Sequence, residues 1–453
     1  MSDFDSRARK AAEAVRQMIE NTAHHEMGIR RARRSPGRVA IPSAIAAAIL
    51  IGAVMVGLPQ GGGGAALSGG NAALAMTGAL QPFTTCDSVL EHFKDHAPEY
   101  LIERARHRGG FAEDGAVPAT SARQSGRSGA DSSATAAEAG SEPAYSTTNV
   151  QEAGVDEPDI IKTDGDRIVA VARERVHLVG FEEGKMALRK ILPDTMVRHV
   201  LLSGERLLVF GGRAAQGSAS VGRWADQQAV LTLYDVSNLR DPELIARLTI
   251  DGQVLDARLA GTQVRVTTVS SPDVDAPSPV YAPDGGISPR SELQLRAAVA
   301  NSEVDDWIPA YTLQNGGGRQ VSAGRLVDCA DLNRPEAFSG LDTVAVSSFD
   351  IKSALRSRHG VGVIAGGQQM YATKSSTYVS TTEWSRDGSP AKTNVHKFVT
   401  VESGASTYNG SGEVPGTLLN QYAMSEYDGV LRVASTVSER RGWANAREVT
   451  EGL

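Results

Sequence analysis

Cysteine is nearly absent from this chain of 453 residues: there are two, Cys86 and Cys329, and no C-x-x-C spacing. That rules out a cysteine-ligated zinc site and a disulfide-dense miniature scaffold. A basic excess is lacking too. The formal net charge is −7 and the sequence pI is about 5.8, whereas a nucleic-acid binder neutralises phosphates with clustered Lys and Arg. Nucleic acid is therefore not expected as a partner. No G-x-S-x-G string marks a serine on a strained elbow. The glycine run at 61–64 lacks the Lys and Ser or Thr of a phosphate loop and reads as a linker. No cofactor is expected.

What is present begins with one long apolar run. Residues 39–58, VAIPSAIAAAILIGAVMVGL, carry no charge and are long enough to span a bilayer. RRARRSPGR precedes them, and a basic cluster beside an apolar span stays on the cytoplasmic side. The expectation is an uncleaved single-pass helix with its N-terminus inside, because residues 1–38 are too long for the charged region of a signal peptide. Within 1–38, Ala11, Val15, Met18 and Ile19 form one stripe of an amphipathic helix.

Composition then divides the rest. Residues 59–82 are glycine-rich and read as a flexible linker. Residues 83–109 read as a short helical segment of two pieces broken at Pro98. Residues 110–147, with almost nothing large and apolar, read as a disordered linker. From 148 to 453 the pattern changes to short β runs separated by Gly and Asp turns. DIIKTDGDRIVAVA, HVLLSGERLLVFG, ARLAGTQVRVTT, VIAGGQQMYATK and SEYDGVLRVAS repeat one hairpin, with turn glycines at 165, 204, 261, 367 and 429. A third strand anchored on Phe181, Tyr234, Phe349 and Phe398 follows four of the hairpins. The long step between Gly261 and Gly367 is read as an insertion at about 271–325 with a helical middle. Repeats that cannot bury both sheet faces alone stack as blades, so the fold class is mainly β, a β-propeller of four to five blades, preceded by a transmembrane helix and short helices.

TTNVQEAGVDEPDIIKTDGDRI, GLDTVAVSSFDI and GEVPGTLLNQYAMSEYDGVLRVAST resemble the family of exported or membrane-anchored bacterial and archaeal proteins with a C-terminal β-propeller distantly related to WD repeats. The likeness runs from about residue 148 onward. It implies a propeller outside the membrane and assigns no activity. Members of that family usually continue well beyond the LRVA stretch, so the sequence is read as a truncated form with an open, partial propeller. The rival is a small closed ring in which the fifth hairpin completes the first blade.

Several residue groups are candidates for chemistry. Asp156, Glu157, Asp159, Asp164 and Asp166 crowd the start of the repeats and could supply oxygen ligands to a hard cation, although their spacing is not that of an EF-hand and solvated turns explain them as well. His92 and His96 stand four apart on a helix but lack the Glu and third ligand of a zinc site. His177, His199, His359 and His396 have no recognisable acid partner. Cys86 and Cys329 both fall on the exported side, where a pair can form a disulfide; two separate thiols are the alternative. Trp307, Tyr311 and Phe338 mark the insertion as a contact surface, or else form its own small core.

The expected function is a binding or scaffold module at the cell envelope, with an envelope protein or polysaccharide as partner. The alternative is an envelope enzyme, hydrolase-like, at the propeller's central channel. Protease added to intact cells is expected to degrade the chain from about residue 60 onward and to spare the N-terminal segment. Release of a protein beginning near Met76 would contradict the anchor.

Overall fold

The computed structural model describes residues 80–109, 150–214, 227–282, 286–356, 359–383, 391–401 and 404–437. The expected segments 1–38, 39–58 and 110–147, and all but the end of 59–82, lie outside them. Among the described residues no helix is long and apolar enough to cross a membrane.

Four antiparallel four-strand units follow one another. The first blade is Ile161–Thr163, Arg167–Ala172, Arg175–Glu182 and Lys185–Ile191. The second is His199–Ser203, Arg206–Ala214, Gln227–Asp235 and Glu243–Asp251. The third is Gln253–Ala260, Gln263–Ser270, Thr343–Asp350 and His359–Ile364, and the fourth is Gly367–Ala372, Ser376–Glu383, Lys392–Thr400 and Ser406–Pro415. Phe181, Tyr234, Phe349 and Phe398 lie on the four third strands. The period-two alternation of each strand sends apolar residues to both faces, and neighbouring blades bury them jointly. Val169, Val176 and Leu178 of the first blade, for example, pack with Val200, Leu207, Val209 and Tyr234 of the second.

Within the first three blades the turn glycines bend as expected, with φ of 95° at Gly165, 55° at Gly204 and 62° at Gly261. Gly367 does not. It opens the fourth blade's first strand after the third blade's last strand, so VIAGGQQMYATK joins two blades and is no hairpin. Its small size has another cause: a Cβ there would lie 2.5 Å from Val344 Cγ2. The final hairpin, Met424–Tyr427 with Val430–Val433, turns on Asp428 at φ 53° and Gly429 at φ 74°. Its strands form a two-stranded sheet of their own, and the first blade is built from its own four strands.

The insertion differs from the expected 271–325 in extent and in role. It occupies the whole interval between the strands ending at Ser270 and beginning at Thr343. Helix α1, Cys86–Gly109, and helix α2, Pro289–Asn301, pack together over it. Ser288 caps α2 by accepting from Ser291 N–H. The hairpin of Ala310–Asn315 and Gln320–Arg325 pairs with Glu243–Asp251 and extends the second blade to six strands. Leu332–Arg334 and Gln81–Pro82 extend the third blade in the same way. The inserted chain thus covers outer edges that would otherwise present unpaired backbone groups.

Helix α1 is one continuous helix, contrary to the expected break at Pro98. Interior proline costs about 3 kcal/mol, while Val89, Phe93, Leu101 and Ile102 are buried, and a fully buried side chain of this size contributes roughly 1.5–3 kcal/mol. Packing therefore outweighs the lost backbone bond. Phe93 stacks on Trp307 at 4.5 Å between ring centroids, and Cys86 is disulfide-bonded to Cys329 with a Cα–Cα distance of 5.1 Å. The bridge closes a loop of 243 residues, a restriction of the unfolded chain equivalent to about 5 kcal/mol in the chain-entropy treatment.

As a surface insertion, about residues 275–320 would be removable without loss of the repeats. The packing reverses that expectation, since Trp307, Ile308 and Leu313 share one core with Leu231, Leu248 and Ile250 of the second blade. Deleting 275–320 is expected to abolish the soluble folded domain. A deleted chain that still unfolds cooperatively in urea would show that the blades stand without it.

Candidate functional site

The acidic string falls on a segment that runs between the first strands of the second and third blades. Asp156 exchanges two backbone hydrogen bonds with Leu259, at 2.7 and 2.9 Å, and Asp159 exchanges two with Val200, at 3.1 and 2.9 Å. Both inner strands thereby gain a partner on an otherwise open edge. Pro158 suits this role, because a residue without an N–H leaves no donor stranded between the two bridges.

Buried cations hold the carboxylates from behind. Lys162 Nζ, whose side chain is 3% exposed, donates to Asp156 Oδ1 at 2.6 Å. Arg258 Nη1 lies 2.7 Å from Asp256 Oδ1, and its Nη2 lies 3.7 Å from Glu157 Oε1. Gln421 Nε2 donates to Glu157 Oε2 at 3.2 Å, and Gln151 Nε2 donates to the Met424 carbonyl at 2.8 Å. The segment is thus tied to the chain leading into the last hairpin. It also meets the fourth blade, where Tyr371 O–H donates to Glu152 Oε1 at 2.5 Å, and burial with the Glu152 bond pushes the phenol above its ordinary range.

Asp164 and Asp166 do not join this group. They sit in the first hairpin turn, where Asp164 accepts from Arg167 Nε at 2.8 Å and from the backbone N–H groups of Asp166 and Arg167. Among the described residues no three His, Cys, Asp or Glu side chains come together as a metal-ion group. The structure brings Asp156, Glu157 and Asp159 onto one segment and sets their carboxylates against cations, amides and backbone donors.

Beside the segment opens a cavity of about 730 Å³. Its wall combines Glu157 and Asp159, Met196 and Arg198 from the link between the first two blades, and His199, Gln227 and Gln228 from the second blade. Gln253 and Asp256 of the third blade and Gln421 and Tyr422 before the last hairpin complete it. Polar groups from several blades converge here. Arg198 and His199 are exposed to it, and Tyr422 is 60% exposed. Desolvation pushes the His199 imidazole below its ordinary value and Arg198 adds to this, against the opposing pull of the Asp256 and Asp159 carboxylates. Solvent screening tempers that balance, because the residue remains open to the cavity.

The other sequence candidates lie elsewhere. Trp307 is 1% exposed and donates from Nε1 to Ser302 Oγ at 2.9 Å, so it is core and not a contact surface. Tyr311 is half-buried with its hydroxyl 2.8 Å from Ser322 Oγ, and Phe338 is half-buried and stacked on His96 at 5.0 Å. Trp307 and Phe338 fasten α1 to the insertion through Phe93 and His96. His92 and His96 face each other with ring centroids 4.6 Å apart, and burial holds His92 at about 4. His177 is buried on the first blade and pushed down by desolvation. His396 is 1% exposed between Thr381 Oγ1, 3.1 Å from its Nε2, and Ser411 Oγ, 2.7 Å from its Nδ1. Tyr408 O–H continues from Ser411 at 2.8 Å and accepts from Leu80 N–H at 2.9 Å. A serine and a histidine in contact suggest a hydrolytic dyad. Here, though, the far ring nitrogen meets a hydroxyl and no carboxylate, and burial keeps the ring neutral. The chain of hydroxyls fastens the N-terminal arm to the fourth blade.

Sequence reasoning overlooked Arg258 and Arg265, which are cross-strand partners, both buried. Arg265 donates from Nη1 to the Ser376 carbonyl at 3.0 Å and to Thr377 Oγ1 at 3.1 Å, and desolvation with neighbouring Arg258 lowers it to about 10. A usable signal existed: two arginines inside apolar β runs, ARLAGTQVRV, at positions one hairpin places opposite each other.

The family described as "Beta propeller domain" matches residues 145–451. An uncharacterized protein of Methanocaldococcus jannaschii is 31% identical over 116 residues, which cover 25% of this chain and 16% of that relative. The chain therefore spans less than a fifth of that curated relative's length. Among solved structures, a hypothetical selenium-binding protein from Sulfolobus tokodaii matches at TM-score 0.16 and 9% identity, covering 55% of this chain and 75% of that one. Dipeptidyl peptidase 4 of Porphyromonas gingivalis matches at TM-score 0.20 and 12% identity, covering 60% of this chain and 42% of that one. Likenesses at these scores carry no argument.

The buried histidine generates a pH prediction. His396 holds its pKa near 4 in the fold against 6.5 when free, so the unfolded chain binds the extra proton between those values. A group with a depressed native pKa that must stay neutral loses its contribution as pH falls. Stability is expected to be full above about pH 6.5 and to drop by about 3 kcal/mol by pH 4 from this residue. Urea midpoints between pH 7.5 and 4.5 should fall less steeply in His396→Gln. Parallel curves for the two proteins would remove His396 as a source of the slope.

Proposed function

We propose that this chain, which belongs to the beta propeller domain family, is a binding or scaffold module of the cell envelope whose ligand enters the cavity beside the 156–159 segment. The convergence of polar side chains from several blades on one cavity of about 730 Å³ carries the reading; ligand sites of roughly 300–1,000 Å³ are typical. Arg198, His199 and Tyr422 supply its exposed recognition groups and half-buried Gln253 a further amide, while Glu157 and Asp256 are already matched by Gln421 and Arg258. Residues 39–58 are the anchor in this proposal, with the N-terminus inside and the blades outside. Among the described residues, four blades, each with a four-strand core, and a two-stranded fifth unit support a partial propeller.

An enzymatic reading has one observation in its favour, His199 beside Asp159 and Asp256 in the cavity wall. Against it, among the described residues no Ser, Thr, Cys or Lys side chain lines the cavity, and covalent catalysis would need such a nucleophile there. Binding is the better supported function. Its partner would be an envelope protein or polysaccharide.

The test uses the full chain as bait in its own envelope, alongside the Arg198→Ala/Tyr422→Ala double variant. Recovery of the bound component is expected to fall about tenfold or more, a loss of ~1.4 kcal/mol or more, with an unchanged melting temperature. Equal recovery by both proteins would place the ligand elsewhere.

A further inference from the structure

The disulfide lies in a setting that a purely structural bridge does not need. Cys86 is the first residue of the 24-residue helix α1, whose start is fixed by reciprocal bonds between Thr85 and Ser88. A helix N-terminus favours a thiolate at that position. The second observation is independent of the helix. Arg325, at the end of the inserted hairpin, places Nη1 3.1 Å from Cys86 Sγ and 3.6 Å from Cys329 Sγ. Its Nε is held by Asp305 Oδ1 at 2.5 Å, which aims the free edge of the guanidinium at the sulfurs. Asp87 beside Cys86, and Asp328 and Asp331 around Cys329, are the opposing charges in sequence. Cys329 is 6% exposed, whereas Cys86 is half-buried and the more accessible sulfur.

We propose that Cys86–Cys329 is an exchangeable disulfide, opened by a dithiol-bearing partner, with Arg325 as the positioning cation that holds the departing thiolates. The partner's thiolate attacks Cys86 Sγ, the S–S bond breaks, and Cys329 leaves as a thiolate beside Nη1. The partner's second thiolate then attacks its own sulfur in the mixed disulfide and releases Cys86 at the helix N-terminus. Two electrons pass to the protein, the partner becomes a disulfide, and its two thiol protons go to solvent or to the new thiolates. Stabilising the reduced pair makes a disulfide easier to reduce. Opening removes the covalent link between α1 and the insertion and leaves the Phe93–Trp307 stack and the packing against α2 to hold the helix.

The experiment equilibrates the folded full chain in dithiothreitol buffers of graded poise, traps thiols by alkylation and counts the two states by mass. Arg325→Met is expected to resist reduction by about tenfold in the equilibrium constant, about 30 mV. Asp305→Asn, which frees the guanidinium from its carboxylate, is expected to shift the opposite way. An unchanged constant in Arg325→Met overturns the proposal. So does a shift of both variants in the same direction, which would report a disturbed hairpin, or a bridge that opens only when the wild type unfolds.

Discussion

An edge strand needs hydrogen-bond partners, and in this protein the first strands of the second and third blades find them on one short segment. Asp156 and Asp159 give those two strands four backbone bonds, and the surrounding side chains exist to make that arrangement tolerable. Carboxylates brought so close to buried strands require cations, and Lys162 and Arg258 provide them. Arg258 in turn forces a second arginine, Arg265, into a shared buried face, where carbonyl oxygens of the fourth blade neutralise its donors. A single chain of compensation thus reaches from the first blade to the fourth. The carboxylates of these pairs keep partial contact with solvent, Asp156 at 31% and Asp256 at 22% exposed, so screening limits what each pair adds to stability.

The outer side obeys the same requirement with different means. Two blades are widened by chain that belongs to neither in sequence: the hairpin of Ala310–Asn315 and Gln320–Arg325, and the pair formed by Leu332–Arg334 with Gln81–Pro82. Helix α1 lies over this added layer through Phe93 and Trp307. Trp307 and Phe338 of the insertion are taken up by contacts with that helix.

Much of the β architecture was legible, because a hairpin repeat is a local pattern. Gly165, Gly204, Gly261 and Gly429 need positive φ, and Phe181, Tyr234, Phe349 and Phe398 each lie on a third strand. Gly367 misled for a physical reason: glycine serves a tight turn and a close approach equally well, and only the neighbouring Val344 distinguishes them. Pro98 misled similarly, since a local rule about helix breaking ignores the surface that α1 buries. The cavity was not legible at all. Arg198, Gln253 and Tyr422 come from three separate parts of the chain, and no spacing in the sequence announces that they meet. The acidic string was visible, but its partners Lys162 and Arg258 were not, because pairing across blades depends on topology.

The second blade is completed by residues that follow the third blade's opening hairpin, and this sets an order of events during synthesis. A ribosome delivers the chain from its N-terminus, and domains ordinarily form as units while they emerge. Here the strand Glu243–Asp251 must wait with an open flank until Ala310–Asn315 arrives, and helix α1 must wait until Cys329 has emerged. Contacts so distant in sequence form slowly. The nascent chain therefore passes through a stage in which open β-edges and two unpaired thiols are exposed together.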